Sequence, residues 1–135
     1  MNIQDVLRFV EQAERYLAAN DPQRKTKLAY ALARVTKQCQ PKIQEYLAEL
    51  EDLRVEHCLV DKDGAIRRAG PEGKDYVFSR EGLTALNTAH RELLEKEIKI
   101  DPYYATSLPE DLSEVWRAEF ERFVIREADE LAAVA

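Results

Sequence analysis

An apolar stripe from Leu28 to His57 constrains this chain more than any other feature of its sequence. Successive members are separated by three or four residues, the spacing at which side chains share one face of an α-helix. A helix from about Pro22 to Cys58 is about 50 Å long at 1.5 Å per residue, so it must pack along other helices for its whole length. The stripe predicts a helical architecture but indicates no catalytic or binding chemistry. Its members are Leu28, Leu32, Val35, Cys39, Ile43, Tyr46, Leu50, Leu53 and His57.

The composition indicates one ordered, helix-rich domain over residues 1–135. Hydrophobic residues make up 45% of the chain and charged residues 34%, and there are only 4 glycines. The net charge of -6 argues against broad contact with a nucleic-acid backbone, which requires lysine and arginine to neutralise phosphates. A local basic cluster at Arg24, Lys25 and Lys27 keeps a DNA-binding module open as a weaker hypothesis.

The cysteines and the first residues favour the cytoplasm. On one straight helix Cys39 and Cys58 are about 28 Å apart, which is beyond the reach of a disulfide bond. The start of the chain, MNIQDVLRFVEQ, contains acidic residues and no apolar run, so we expect neither a signal peptide nor a membrane span. The prediction is a protein of the reducing cytoplasm.

A helical hairpin is predicted over residues 2–58. Asn2 and Asp5 form a loose capping box for a first helix that ends near Ala19. In the short connection Asn20 ends this helix, Asp21 caps the next, and Pro22 stands in its first turn. Helices joined so tightly are expected to be antiparallel neighbours, with the first covering only the first half of the second.

Pro41 falls inside the second helix, beside the point where the stripe takes two successive steps of four residues. An interior proline removes one backbone hydrogen bond, and an extra step of four relaxes left-handed supercoiling. The coincidence predicts a kink that the packing accommodates. A break into two helices at Gln40 is the alternative.

The period changes after Cys58, and residues 59–78 predict a β-hairpin or a three-stranded patch. Asp61–Gly64 reads as a turn between the short runs 58–60 and 65–67, with Gly64 as the left-handed residue. Residues 69–75 contain Gly70, Pro71 and Gly73 and predict a mobile loop. A further strand is expected at 76–78.

The last part of the chain predicts two more helices. The first covers 79–97 and is capped by Ser79, and a short alternating strand with a loop follows at 98–106. The second helix covers 107–131, opened by a capping box of Ser107 and Glu110. The fold class is therefore mainly α with a small β element (α+β): a long antiparallel helical hairpin, the β-patch and two further helices.

No constellation of residues predicts catalysis, a cofactor or a metal. Asp61–Gly64 resembles the opening of a calcium loop, but Ile66 stands where that loop needs glycine, and oxygen ligands are missing. Cys39 and His57 are about 27 Å apart on one helix, so they cannot share a zinc ion. The glycines match no phosphate-binding pattern. We expect a protein that is not an enzyme.

Candidate interface residues come from two places. Two shorter helices can cover the long stripe only in part, so another chain is expected to bury the remainder as in a coiled coil. Aromatic residues after Pro102 and on the last helix either fill gaps between packed elements or form a partner surface, where such residues are enriched. The candidates are Ile43, Tyr46, Leu50, Leu53, Tyr103, Tyr104 and Trp116.

From about Leu47 onward the order of features resembles small bacteriophage proteins of unknown function encoded among virion structure and assembly genes. In such proteins a long charged helix runs into an Asp-x-Asp-Gly turn, and a short aromatic strand, a helix, an alternating segment and a terminal helix follow. The resemblance implies a scaffold or assembly role and brings no catalytic residues. The matching segments are Asp61–Gly64, Tyr76–Ser79, Leu86–Asn87, Glu92–Glu95, Ile98–Ile100 and Leu112–Ser113.

The sequence therefore predicts a non-enzymatic phage structural or assembly protein that acts through self-association and protein–protein contacts. Its expected partners are copies of itself or virion proteins, with no membrane and with DNA only as the weaker hypothesis, in the host cytoplasm or the virion. The alternative is an acidic helical regulator or inhibitor that binds a host protein, because an acidic rod can compete with DNA for a basic groove.

Overall fold

The structure, a computed structural model, describes residues 1–19, 26–121 and 123–125. It is mainly helical with a small antiparallel sheet of two strands, which confirms the predicted fold class. The chain divides into two compact units, one made of Met1–Ile43 with the described residues from Glu97 onward, the other of Gln44–Lys96. The elements are α1 (Ile3–Ala19), α2 (Lys27–His57), β1 (Arg68–Ala69), β2 (Asp75–Tyr76), α3 (Arg80–Leu94) and α4 (Glu114–Phe120).

The predicted capping box opens α1. The backbone N–H of Asp5 donates to Oδ1 of Asn2 at 2.9 Å, and the N–H of Asn2 donates to Oδ2 of Asp5 at 3.0 Å. Two of the N–H groups that a helix start leaves without an intrahelical acceptor are thereby satisfied. The helix ends at Ala19, as the periodicity predicts.

The second helix begins later than the predicted start at Pro22. Thr26 is not helical, and its Oγ1 accepts the N–H of Ala29 at 3.0 Å, so Thr26 is the N-cap of α2. The predicted roles of Asn20 and Asp21 fall on residues 20–25, outside the described part of the chain. From Lys27 the helix continues through Pro41 to His57, so it is not split at Gln40.

The first unit is built around one hydrophobic core. Buried residues of α1 share it with the first half of the α2 stripe, as the short length of α1 predicts. The end of the described chain contributes Phe120, Val124 and Ile125, which are 0%, 0% and 1% exposed. Phe9 contacts Phe120 edge-on, with ring centroids 6.1 Å apart. Members from α1 and α2 are Val6, Phe9, Val10, Ala13, Tyr16, Leu28, Ala31, Leu32, Val35 and Cys39.

Part of the second half of the stripe, at Tyr46 and Leu50, is covered within the chain, whereas Leu53 remains half-buried. Tyr46 and Leu50 are only 7% and 6% exposed, and Leu86 and Leu93 of α3 are 8% and 9% exposed. The phenol oxygen of Tyr46 lies 2.7 Å from Nε2 of His90. α3 therefore packs against this half of α2.

The surroundings of Gly82 and His90 show how closely α3 approaches α2 and in which direction it runs. A Cβ placed on Gly82 would lie 2.6 Å from the carbonyl oxygen of His57, at the end of α2. His90, further along α3, instead meets Tyr46, further back along α2. The two segments are therefore antiparallel, and a glycine at the crossing lets their backbones approach.

The β-region contains the predicted turn, and its two-stranded sheet is formed by residues in or next to the predicted strands. The turn at Asp61–Gly64 forms, with Gly64 at φ 83° and Oδ1 of Asp61 accepting two backbone N–H groups. The runs on its two sides are joined by the bridge of Val60 to Ile66 and by the hydrogen bond from the N–H of Arg67 to the carbonyl of Leu59 at 3.0 Å. The paired strands are β1 and β2, in the register Arg68 to Tyr76. The segment predicted as a loop at 69–75 is the connection of this hairpin and contains a 3-10 turn. Of the strand expected at 76–78, Tyr76 lies in β2, and Val77 accepts the N–H of Leu59 at 2.7 Å and donates to the carbonyl of Arg67 at 3.3 Å.

The strand predicted at 98–100 is absent from the described chain. Glu97 instead forms an isolated bridge with Asn2, and the N–H of Ile98 donates to the carbonyl of Met1 at 2.9 Å. Ile100 is buried at 7% exposure in the first unit's core. The alternation therefore reflects packing against the start of α1 rather than a strand.

The last predicted helix, 107–131, is much shorter where it is described. It begins after Ser113, whose hydroxyl accepts the N–H of Trp116 at 3.3 Å, so the expected cap at Ser107 and Glu110 is wrong. It ends at Phe120, because Glu121 is extended and the chain folds back into the core through residues 123–125. Residues 122 and 126–135, which include the rest of the predicted helix, lie outside the described part.

Candidate interaction surface

Two tyrosines and an arginine form an exposed cluster on the first unit. Tyr30 on α2 and Tyr103 on the following extended segment have ring centroids 5.7 Å apart in an edge-on arrangement. The guanidinium carbon of Arg34 lies 4.5 Å from the centroid of the Tyr103 ring, a cation–π distance. Tyr30 is 58% exposed and Tyr103 is 37% exposed, so neither ring serves as core.

Gln38 holds the extended segment in place against α2. Its side-chain amide donates to the carbonyl of Asp101 at 2.9 Å and accepts the Asp101 N–H at 2.6 Å. On the other side, the N–H of Tyr103 donates to the carbonyl of Phe123 at 2.9 Å. Because the backbone of Tyr103 is fixed from both sides, its ring is presented at a defined position.

The charges that α2 contributes to the cluster are all positive. Between Lys27 and Gln44, α2 carries four basic residues and no acidic one. Lys27, Tyr30, Arg34 and Lys37 follow one another in steps of three, four and three, so they lie along one helix face. We call Lys27, Tyr30, Arg34, Lys37 and Tyr103 the aromatic–cation surface.

This surface has shallow relief on both sides of Tyr30. One depression lies between Tyr30 and the segment at 103–106, and the other lies between Tyr30 and Lys37 along α2. Neither is lined by an acidic residue, and the cations have no carboxylate at ion-pair distance within the described ranges. The surface combines apolar area with unpaired positive charge.

Other candidates from the stripe have different surroundings. Ile43 is half-buried and packs against the first unit's core. Tyr46 and Leu50 are buried in the second unit, and burial raises the pKa of Tyr46. Leu53 is half-buried beside a depression between α2 and α3.

Of the aromatic candidates, only Tyr103 belongs to the surface cluster. Trp116 is half-buried, stacks on Phe120 with centroids 5.7 Å apart and meets Tyr16 edge-on at 5.6 Å. It therefore covers the core from outside. Tyr104 is also half-buried and lines the depression next to Tyr30.

In the first unit, an ion pair joins α1 to α4 and one thiol is buried in the core. Arg8 of α1 donates to both carboxylate oxygens of Glu119 on α4, at 2.6 and 3.1 Å. The hydrogen bond from Arg8 lowers the pKa of Glu119, and burial raises the pKa of the Cys39 thiol to about 11. Over residues 1–19, 26–121 and 123–125, no three potential metal ligands cluster together.

Neither the hydropathy of the described helices nor similarity to known proteins indicates a function. None of the helices in the described ranges combines the length and apolar character that crossing a bilayer requires. No model of a protein family matches the chain, and neither a curated protein nor a solved structure matches it significantly. Function must therefore be inferred from the chain's own surface.

Sequence reasoning missed Tyr30, Arg34, Lys37 and Gln38. The signal was present in the spacing of Lys27, Tyr30, Arg34 and Lys37, which repeats every three or four residues on a face away from the stripe. That Tyr103 joins this face could not be read from the spacing, because Tyr103 is brought there by the Gln38 contact with Asp101.

Proposed function

We propose that this protein is a non-enzymatic structural or assembly component of a bacteriophage, acting through self-association and contacts with other protein chains. The observation that carries the proposal is the aromatic–cation surface, where Tyr30 and Tyr103 remain exposed beside Arg34. Tyrosine and arginine are the residue types most enriched where protein interfaces gain their binding energy.

The surroundings of the cluster support an interface rather than a ligand pocket. Small-molecule sites are concave and enclose most of their ligand, whereas the relief around Tyr30 is shallow and open. A fixed aromatic ring costs little conformational entropy when a partner covers it, and the Gln38 contacts with Asp101 fix the segment that carries Tyr103.

The phage assignment rests on the resemblance from Leu47 onward, in which a charged helix runs into the Asp61–Gly64 turn. The resemblance implies a scaffold or assembly role, which requires contacts between protein chains. An exposed surface built for protein contact agrees with that role.

Native mass tests this function. Light scattering after size exclusion, over a series of protein concentrations, should give a mass above the 15.6 kDa of one chain, approaching a defined multiple as concentration rises. A mass of one chain at every concentration would overturn self-association. It would favour instead the acidic regulator that binds a host protein.

A further inference from the structure

The second unit carries a surface whose chemistry is opposite to that of the aromatic–cation surface. A depression between α2 and α3 has an apolar floor formed by Leu53, Ala89 and Leu93. Its rim carries the carboxylates of Asp52 and Glu92. It also carries an ion pair in which Nζ of Lys96 lies 3.6 Å from Oε1 of Glu49. We call this region the acidic depression.

Two of the rim carboxylates have no cation at ion-pair distance in the described part of the chain. Asp52 and Glu92 are both exposed, and neither pairs with a cation in the described ranges. Asp52 and Glu92 thus place two negative charges, unpaired in the described ranges, beside an apolar floor. The aromatic–cation surface has the complementary arrangement, with cations beside exposed tyrosine rings. Complementary potentials of this kind steer association and fix its register.

Resting on the proposed function, we infer that the aromatic–cation surface of one copy binds the acidic depression of a second copy. In this contact the Tyr30 ring covers the floor at Leu53 and Leu93, and Arg34 and Lys37 meet the rim carboxylates. Covering both faces removes exposed apolar area from water, and the flanking charges restrict the partner to an anionic surface.

The helical spacing of the two surfaces supports this pairing. Lys27 and Arg34 are seven residues apart on α2, which is about 10.5 Å along the axis. Asp52 of the rim has the same separation from Glu45, which lies on α2 outside the acidic depression. Glu45 is exposed and has no ion-pair partner in the described part of the chain. Two cations of one copy can therefore reach two carboxylates of the other in a single docking of helix on helix.

A contact of this type joins two different surfaces, so each copy offers one of each. Such a contact is heterologous, and copies joined through it form a closed ring or an open chain according to the rotation between them. Self-association should therefore be sensitive to salt, because the flanking charges are exposed to solvent.

The test uses charge reversal on each surface separately in the full chain. Arg34→Glu with Lys37→Glu removes the cations, and Asp52→Lys with Glu92→Lys removes the rim carboxylates. Each double variant alone should associate at least about tenfold more weakly than wild type in light scattering. Lys62→Glu with Lys99→Glu makes the same charge change as the first double variant on exposed residues that belong to neither surface, and it should leave the mass unchanged.

Mixing the two double variants is the experiment that decides whether the two surfaces pair. The first retains an intact acidic depression and the second an intact aromatic–cation surface, so the mixture should restore a complex of two chains. Thermal unfolding by circular dichroism confirms that each variant is folded. If wild type associates and the mixture does not restore the complex, the pairing is wrong while the proposed function stands.

A single-chain mass for wild type would overturn both proposals together. A single-stranded DNA oligonucleotide, followed by fluorescence anisotropy, addresses the other occupant that a surface of tyrosines and cations can attract. Salt-sensitive binding of that oligonucleotide by wild type, lost in the Arg34→Glu, Lys37→Glu variant, would overturn the assignment to a second copy. The result expected here is no binding.

Discussion

The phenol oxygen of Tyr46 lies 2.7 Å from Nε2 of His90, and the two rings stack with centroids 5.9 Å apart. This pair joins the second half of the long stripe to α3. It explains why the stripe does not need another chain at this point, since Tyr46 is already buried within the second unit. A surface available to a partner therefore does not include Tyr46.

Removing this hydroxyl should destabilise the second unit. Tyr46→Phe keeps the stacked ring but leaves His90 Nε2 without its partner, and we expect the free energy of unfolding to fall by about 1 kcal/mol. Urea unfolding measures the change. Tyr103→Phe serves as the matched control, because the Tyr103 hydroxyl has no hydrogen bond in the described part of the chain, and an equal loss there would contradict the account.

Gly82 should not tolerate a side chain, although it stands inside a helix. At an ordinary helix position Gly→Ala stabilises by about 0.5–1 kcal/mol. Here the new Cβ would lie 2.6 Å from the His57 carbonyl oxygen, so α3 must shift away from α2. We expect Gly82→Ala to destabilise by about 1–3 kcal/mol in the same unfolding measurement. A stabilised variant would show that the two segments are not in close contact.

The start of α4 can be tested with two serines. Ser113→Ala removes the hydroxyl that accepts the Trp116 N–H and should cost about 1 kcal/mol, as for other N-cap serines. Ser107→Ala changes an exposed residue that caps no helix and should cost almost nothing. Thermal unfolding of the two variants compares them directly. The reverse order of effects would restore the longer helix that the sequence predicts.

The two cysteines should differ in reactivity. Cys39 is fully buried, and burial raises its pKa to about 11 from an ordinary value of 9.0, whereas the Cys58 side chain is partly exposed. A thiol reagent near neutral pH should label one residue per folded chain, Cys58, and both residues after denaturation. Mass spectrometry of the labelled chain identifies the site, and rapid labelling of Cys39 in the folded protein would contradict its position in the core.

The same pKa gives stability a pH dependence. Below about pH 9 the Cys39 thiol is protonated in both folded and unfolded chains, so stability is unaffected. As the pH rises toward 11 the unfolded chain releases this proton first, and the free energy of unfolding falls. Cys39→Ala should show a smaller decline over this window, and an identical decline in both proteins would assign the effect to other groups.

Much of the fold could be predicted because it depends on local rules. The stripe predicts α2, and the Asn2 and Asp5 pair predicts the start of α1, since both follow from spacing along one helix. The start of α4 could not be chosen in this way, because Ser107 and Ser113 both satisfy a capping pattern. Burial of residues 123–125 in the core decides where that helix ends, and this is a contact distant in sequence.

The candidate surface was predictable only in part for the same reason. The sequence predicts Tyr103 as a candidate from its position after Pro102, in a segment outside the regular elements. Its neighbours Tyr30 and Arg34 lie more than sixty residues earlier in the chain, and only the folded segment brings them together. Coverage of the stripe by α3 depends on a packing direction that periodicity does not contain.

The most direct test of the central claim is the dissociation constant of self-association, measured by sedimentation equilibrium for wild type and two single variants. Tyr30→Ala removes the most exposed ring of the aromatic–cation surface and should weaken association by roughly tenfold or more. Val115→Ala removes apolar area outside that surface, where the side chain is 72% exposed, and should leave the constant unchanged. Equal affinities for wild type and Tyr30→Ala would contradict the claim that copies associate through this surface.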